Sequence, residues 1–373
     1  EYKFNLSDKY FFNPKLEIPL SKSIYTIKDR LPDLKNIVFH LGMIELISYW
    51  KTACPKKLII KPHSLNSEQI TWWKKLYFNG LGEFFYLNTI KVNENDFIEI
   101  RSEGGSLKPH KNILDHKKVI VPIGGGKDSV VTLEVLKNSD LKIYPMMLNP
   151  GEAGKRTVEN AGYSSNNTMT VKRTLDTKLL ELNKDGFLNG HTPFSALLAF
   201  TNVLLGIISD CGNIALSNEN SANESTVPGT NINHQYSKSY EFEQDFDYYL
   251  SKYIHPGLNY FSFLRLFNEL QIAILFSSYS WHYESFRSCN VGSKKDEWCG
   301  KCSKCLFTYI ILSPFIDRET LISIFGKNMF ADSSLSDILL ELTGNSAVKP
   351  FECVGTIREV NTALAAYMAN NSE

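Results

Sequence analysis

The sequence lacks net charge. Lys and Arg total 40 and Asp and Glu total 40, so no global field draws the chain to nucleic acid or to an anionic membrane surface. It also lacks a run that could span a membrane: the longest apolar stretch, 194–208, is too short and is broken by polar residues. No basic segment followed by an apolar one opens the sequence, so no secretory signal is expected. Cysteine is scarce, seven in 373 residues, and four of the seven crowd between 289 and 305. That distribution argues for metal binding in a reducing compartment over a disulfide framework. The expectations are therefore a cytoplasmic protein with no nucleic-acid partner and no membrane partner. What is present is apolar residues at 43%, enough for a real core, and length enough for two or three domains.

One stretch organises the rest. The apolar, β-branched run Val119-Ile120-Val121-Pro122-Ile123 ends in Gly124-Gly125-Gly126 and is followed by Lys127-Asp128-Ser129 and further apolar residues. This predicts a buried strand, a tight turn and the start of a helix. Glycines there let backbone N–H groups close around an anion at a helix N-terminus, and Lys127 adds a full positive charge. Neither G-x-x-x-x-G-K-[ST] nor G-x-G-x-x-G fits, because Asp128 follows the lysine and Ser129 takes the last glycine position. The pattern resembles the S-G-G-x-D-S loop of the ATP pyrophosphatases, with Gly124 in place of the first serine. An ordinary glycine-rich strand-to-helix turn is the bland alternative.

Texture divides the chain into three expected segments: 1–110, a separate α+β module; 111–285, a parallel α/β domain; and 286–373, a cysteine-rich and helical segment. In the first, 57–61 and 97–101 read as strands and 67–79 as an amphipathic helix whose Trp72, Trp73 and Tyr77 suit a core. His40 and Glu45 fit substrate binding or a structural pair equally well. In the second, strands alternate with helices, which implies a parallel sheet with ligands at the carboxyl ends of its strands. The loop after the strand at 213–217, Ser217-Asn218-Glu219-Asn220-Ser221-Ala222-Asn223-Glu224, falls at such an end. It is a nucleotide-site candidate, with a plain solvent loop as the alternative. Residues 231–246 read as a mobile lid, and the aromatic residues at 260–267 as a core helix.

Cys289-x9-Cys299-x2-Cys302-x2-Cys305 is the second specific pattern. Four soft ligands at this spacing predict a closed, four-thiolate zinc site, which leaves no open position and is structural; free buried cysteines and a redox or iron–sulfur site are the alternatives. Of the other cysteines, Cys54 and Cys211 suit a core. Cys353 lies in Lys349-Pro350-Phe351-Glu352-Cys353-Val354-Gly355, where a nearby cation could make its thiol a usable base; a loop cysteine with no role fits equally well.

The glycine loop and the cysteine cluster together resemble the cyanodeazaguanine synthases. The set completed by Gly190-His191-Thr192-Pro193-Phe194, the 217–224 loop and the 349–355 loop is similar to the UDP-N-acetylmuramoyl-L-alanyl-L-glutamate epimerases, from about residue 115 onward and more loosely at 40–50. The resemblance implies an adenine nucleotide α-hydrolase-like (PP-loop) domain, ATP and Mg²⁺ as cofactors, and UDP-MurNAc-L-Ala-L-Glu as substrate. The terminal L-glutamate would be adenylated, inverted and released. Residues 124–129 with Ser217, Asn218 and Glu219 would then hold the nucleotide. Lys127 would neutralise phosphate charge, Asp128 would help hold Mg²⁺, and His191 and Cys353 would exchange the α-proton. The rivals are another adenylating enzyme of the same superfamily and a non-enzymatic nucleotide sensor carrying a zinc module.

Overall fold

The computed structural model describes residues 1–19, 24–25 and 34–370. Parts of the first and third expected segments, 20–23, 26–33 and 371–373, lie outside them. The central feature is a mixed α/β arrangement with a parallel-dominated sheet of six strands. Its order is Asn259–Ser262, Cys211–Leu216, Asp115–Pro122, Lys142–Leu148, Met169–Thr174 and Lys15–Glu17. Asp115–Pro122 runs parallel to Cys211–Leu216, and the short edge strand Lys15–Glu17 pairs antiparallel with Met169–Thr174. The residues that should build a doubly covered parallel strand do so: Val119, Ile120 and Val121 have no exposed surface.

By contact density the chain forms two compact units. One comprises Glu1–Ile120, Thr170–Ile214 and Tyr236–Tyr260; the other comprises Val121–Met169, Ala215–Gln235 and Phe261–Glu373. In the first, the helices Lys35–Trp50 and Phe194–Ser209 pack together. The helix Ser67–Gly80 starts where Asn66 and Gln69 form a reciprocal capping box. Trp73 and Tyr77 are fully buried and Trp73 stacks on Phe200 at 5.3 Å, whereas Trp72 is only partly buried and donates its indole N–H to Asp245 O at 2.9 Å. His40 and Glu45 belong to separate networks. The His40 ring bonds Asn36 O at 2.8 Å and the Tyr249 hydroxyl at 2.9 Å, and burial pushes it down to about 4, so it is neutral. Glu45 instead takes a bidentate contact from Arg173, at 2.7 and 3.0 Å.

Two sequence expectations need correction. Aromatic density at 260–267 was expected to be a helix, but it forms the strand Asn259–Ser262 and turns, with the next helix starting at Glu269. Buried aromatic residues serve a strand as well as a helix, and the capping pair Asn268 and Gln271 sets the true start. Within the stretch read as a lid, residues from 240 onward belong to the helix Tyr240–Tyr253, with Phe242 and Phe246 buried in its unit.

Candidate active site

In the second unit, the glycine turn leads into the helix Lys127–Leu136. Gly126 is its N-cap and no side chain caps its first N–H groups. Those donors and the helix dipole are directed at whatever anion the turn receives. Gly125 has φ +88°, and a Cβ there would stand 2.8 Å from the backbone nitrogen of Gly154, so the turn can pack on the helix Glu152–Asn160 only as glycine. Ser129 Oγ donates back to Gly126 O at 2.9 Å.

Lys127 is the first residue of that helix and is 4% exposed. Its ammonium pairs with Asp128 and with Glu269, 142 residues on. Burial would lower the ammonium, and the two carboxylates more than reverse this, so Lys127 is held charged. Glu269 moves the other way. Burial pushes its carboxyl up to about 8, Lys127 opposes the rise, and Asp128 and Glu219 add to it. Burial is the main reason Glu269 rises although it touches a lysine, and the two other carboxylates beside that single cation add to it.

The same network draws in the C-terminal loop. Glu359 accepts from Glu269 N at 2.8 Å through one oxygen and from Thr356 N and Oγ1, at 2.6 and 2.8 Å, through the other. Lys349, buried, pairs with Glu224 of the 217–224 loop and donates to Gly355 O at 3.0 Å. Cys353 sits half-buried between these anchors. In the 217–224 loop, Asn218 donates to Ser262 Oγ at 3.0 Å and the Glu219 carbonyl accepts from Arg265 at 2.8 Å. Ser217 Oγ is buried with no hydrogen-bond partner among the described residues. An unfilled hydroxyl in a loop that shares charge with the glycine turn fits a nucleotide ligand.

His191 lies in the first unit. Its Nδ1 stands 3.4 Å from the Glu83 carboxylate. The residue before it, Gly190, adopts φ +145° and its carbonyl accepts from the Lys51 ammonium. The helix behind it begins at Phe194 with Pro193 as N-cap.

Cys289, Cys299, Cys302 and Cys305 place their Sγ atoms within 4.8 Å of one another. Three of the separations are 3.7, 3.7 and 3.4 Å. A tetrahedron of about 2.3 Å metal–sulfur bonds has edges of about 3.8 Å, so the donor set fits a four-thiolate metal. Backbone N–H groups of Gly292 and Lys301 point at Cys289 and Cys299 sulfurs, as thiolates require. Cys302 caps the helix Ser303–Leu312, and Cys305 is part of the apolar cluster that holds the C-terminal helices.

The residues that sequence reading missed are the distant partners: Glu269, Glu359, Glu83 and Lys51. Glu269, Glu83 and Glu359 each carried a weak local signal, an acid in the first turn of a helix, and Lys51 carried none.

Two family descriptions match the sequence, MurL N-terminal domain over residues 1–263 and MurL C-terminal domain over residues 285–373. The chain belongs to the MurL family. A relative from Xanthomonas oryzae pv. oryzae is 33% identical over 344 residues, covering 89% of this chain and 74% of the relative. One from Salinispora tropica is 33% identical over 366 residues, covering 95% and 78%. Both are named UDP-N-acetyl-alpha-D-muramoyl-L-alanyl-L-glutamate epimerase. Among the described residues of this MurL family member, no helix is long and apolar enough to cross a membrane.

Proposed function

We propose that the protein is an ATP-dependent epimerase that inverts the terminal L-glutamate of UDP-MurNAc-L-Ala-L-Glu, a step in peptidoglycan precursor synthesis. Membership of a family whose curated relatives carry that name supports the substrate and the enzyme class. The observation that carries the ATP requirement is the uncapped glycine turn beside a lysine and three carboxylates.

The chemistry explains why a nucleotide would serve an epimerase. An α-proton next to a carboxylate is hard to remove, because the carbanion forms beside a negative charge. A carboxylate oxygen attacking the α-phosphorus of ATP displaces pyrophosphate and leaves an acyl adenylate, whose electron-withdrawing acyl group carries no charge next to the reacting carbon. A base then takes the α-proton, an acid returns one to the opposite face, and water releases AMP and the D-glutamyl product. The N–H groups at Gly124 to Ser129 would hold the departing phosphates, with Ser217, Asn218 and Glu219 lining the nucleotide. Asp128 would help to hold Mg²⁺, a hard cation that takes carboxylate oxygen. Lys127 orients Asp128 and Glu269 around that position. His191 and Cys353 are the proton-exchange pair. Four-thiolate zinc would supply no open position and would brace the C-terminal loop that carries Cys353. This reading makes the fold a PP-loop ATP pyrophosphatase domain joined to an N-terminal module and a zinc segment.

The test incubates the protein with ATP, Mg²⁺ and UDP-MurNAc-L-Ala-L-Glu and follows pyrophosphate and glutamate configuration. Both pyrophosphate and D-glutamate are expected. Pyrophosphate without D-glutamate would point to another adenylating enzyme, and neither product to a nucleotide sensor. His191→Ala and Cys353→Ala should keep pyrophosphate release and lose exchange of the α-proton with deuterated water. Full exchange in both variants removes the acid/base assignment.

A further inference from the structure

Arg287 is a half-buried cation that the scheme above does not use. Its backbone N–H donates to Gly125 O at 2.8 Å, so it lies directly on the glycine turn. The next residue also touches the turn: a Cβ on Gly126 would stand 3.4 Å from the Ser288 Cβ. The third, Cys289, is the first of the four clustered thiols, which fixes where this segment runs. The Arg287 guanidinium makes one hydrogen bond, to Phe286 O at 2.7 Å, and has no ion-pair partner among the described residues. Its Nε is buried and unpartnered. Beside it stands Arg156, from the helix whose first turn packs on Gly125. Arg156 is paired with Asp296, yet its Nε too is buried without a partner. It also lines a cleft of about 450 Å³ with Asn160 and Trp281.

A guanidinium drawn half out of water, with Asp296 and Glu284 near it but neither in a direct ion pair with it, gains when an anion arrives. Two guanidiniums close enough to repel one another raise that demand. Their planar forks match the paired oxygens of phosphate groups. We infer that Arg287, with Arg156 behind it, completes the glycine turn as a pyrophosphate-binding site that holds the leaving group of the adenylation step. The inference rests on the nucleotide reading under Proposed function and adds a residue to it. It also gives the thiolate cluster a second consequence, because a chain end fixed at Cys289 keeps Arg287 on Gly125.

The experiment is calorimetric titration of the full, metal-loaded protein with inorganic pyrophosphate and, separately, with Mg·ATP. Arg287→Ala should weaken pyrophosphate roughly 10- to 100-fold, the loss of one charge-assisted contact. Arg287→Lys should recover part of that, because it keeps the charge and loses the fork. Thermal unfolding of both variants should match the wild type, since the side chain holds only a neighbouring carbonyl. Equal pyrophosphate affinity in wild type and folded Arg287→Ala overturns this inference and leaves the nucleotide reading standing. Wild-type protein that binds neither probe overturns both. If Arg287→Ala does not fold, equal affinity in Arg287→Lys and wild type overturns the inference, since a point charge cannot replace a bidentate contact.

Discussion

The loops that carry His191 and Cys353 are built on the same device with opposite electrostatics. In each, a buried lysine donates to a glycine carbonyl: Lys51 to Gly190, and Lys349 to Gly355. Lys349 is neutralised by Glu224. Lys51 is not so balanced. Burial and then the nearby Arg173 push its ammonium down to about 8, with Glu83 opposing them. The glycines differ as well. Gly190 is required by its backbone, at φ +145°. Gly355 is required by space: a Cβ there would meet Phe307 and Glu359 at 2.9 Å and Glu269 at 3.0 Å. The Cys353 loop is thus closed by charge pairing and crowding, and the His191 loop by one strained residue and one poorly neutralised cation. Similar-looking loops can be fixed by different physics, and they should fail differently.

The largest expected difference comes from metal removal. A structural four-thiolate site contributes on the order of 10 kcal/mol to the fold of the segment it closes. Chelation should therefore greatly raise hydrogen exchange at 349–360 and leave 188–193 protected as before. Equal loosening of both loops would break the distinction. Next, Lys349→Met should cost about 2–3 kcal/mol, because Glu224 is left without its partner. Lys51→Met should cost about 1 kcal/mol or less at neutral pH, because it removes a cation whose burial is already unfavourable. Denaturant titration of the two variants measures the gap, and equal losses would mean that Lys51 is better paired than its surroundings indicate.

The glycines sharpen the comparison at about 1–3 kcal/mol each. Gly355→Ala should be partly rescued by Phe307→Leu, which makes room. Gly190→Ala should not be rescued by trimming Phe84, because its strain lies in the residue's own backbone. Lys51 also gives a pH dependence. The Lys51 ammonium ordinarily titrates at 10.5 and is held at about 8 in the fold. Between those values the unfolded chain keeps a proton that the folded chain has released. Stability therefore rises with pH across this window and is lower below it. The rise should be absent from Lys51→Met relative to wild type, and parallel profiles would show that Lys51 is not depressed.

The glycine turn was legible because its chemistry is local. A β-branched run, three glycines and Lys-Asp-Ser specify a strand, a turn and a helix start within a dozen residues. The cysteine spacing was legible for the same reason. Lys127 was legible as a charge, and its surroundings were not: its buried partner Glu269 is 142 residues away, and Glu269 is fixed in turn by Glu359. The 260–267 stretch was misread because aromatic density reports burial and not period.

The sequence by itself determined the anion-ready turn, the thiol cluster and the alternation of strands and helices, since each depends on residues that touch along the chain. The tertiary structure decided the charge state of Glu269, the half-buried Arg287 on Gly125 and the two lysine-held loops. Those depend on electrostatics and desolvation between residues that only folding brings together.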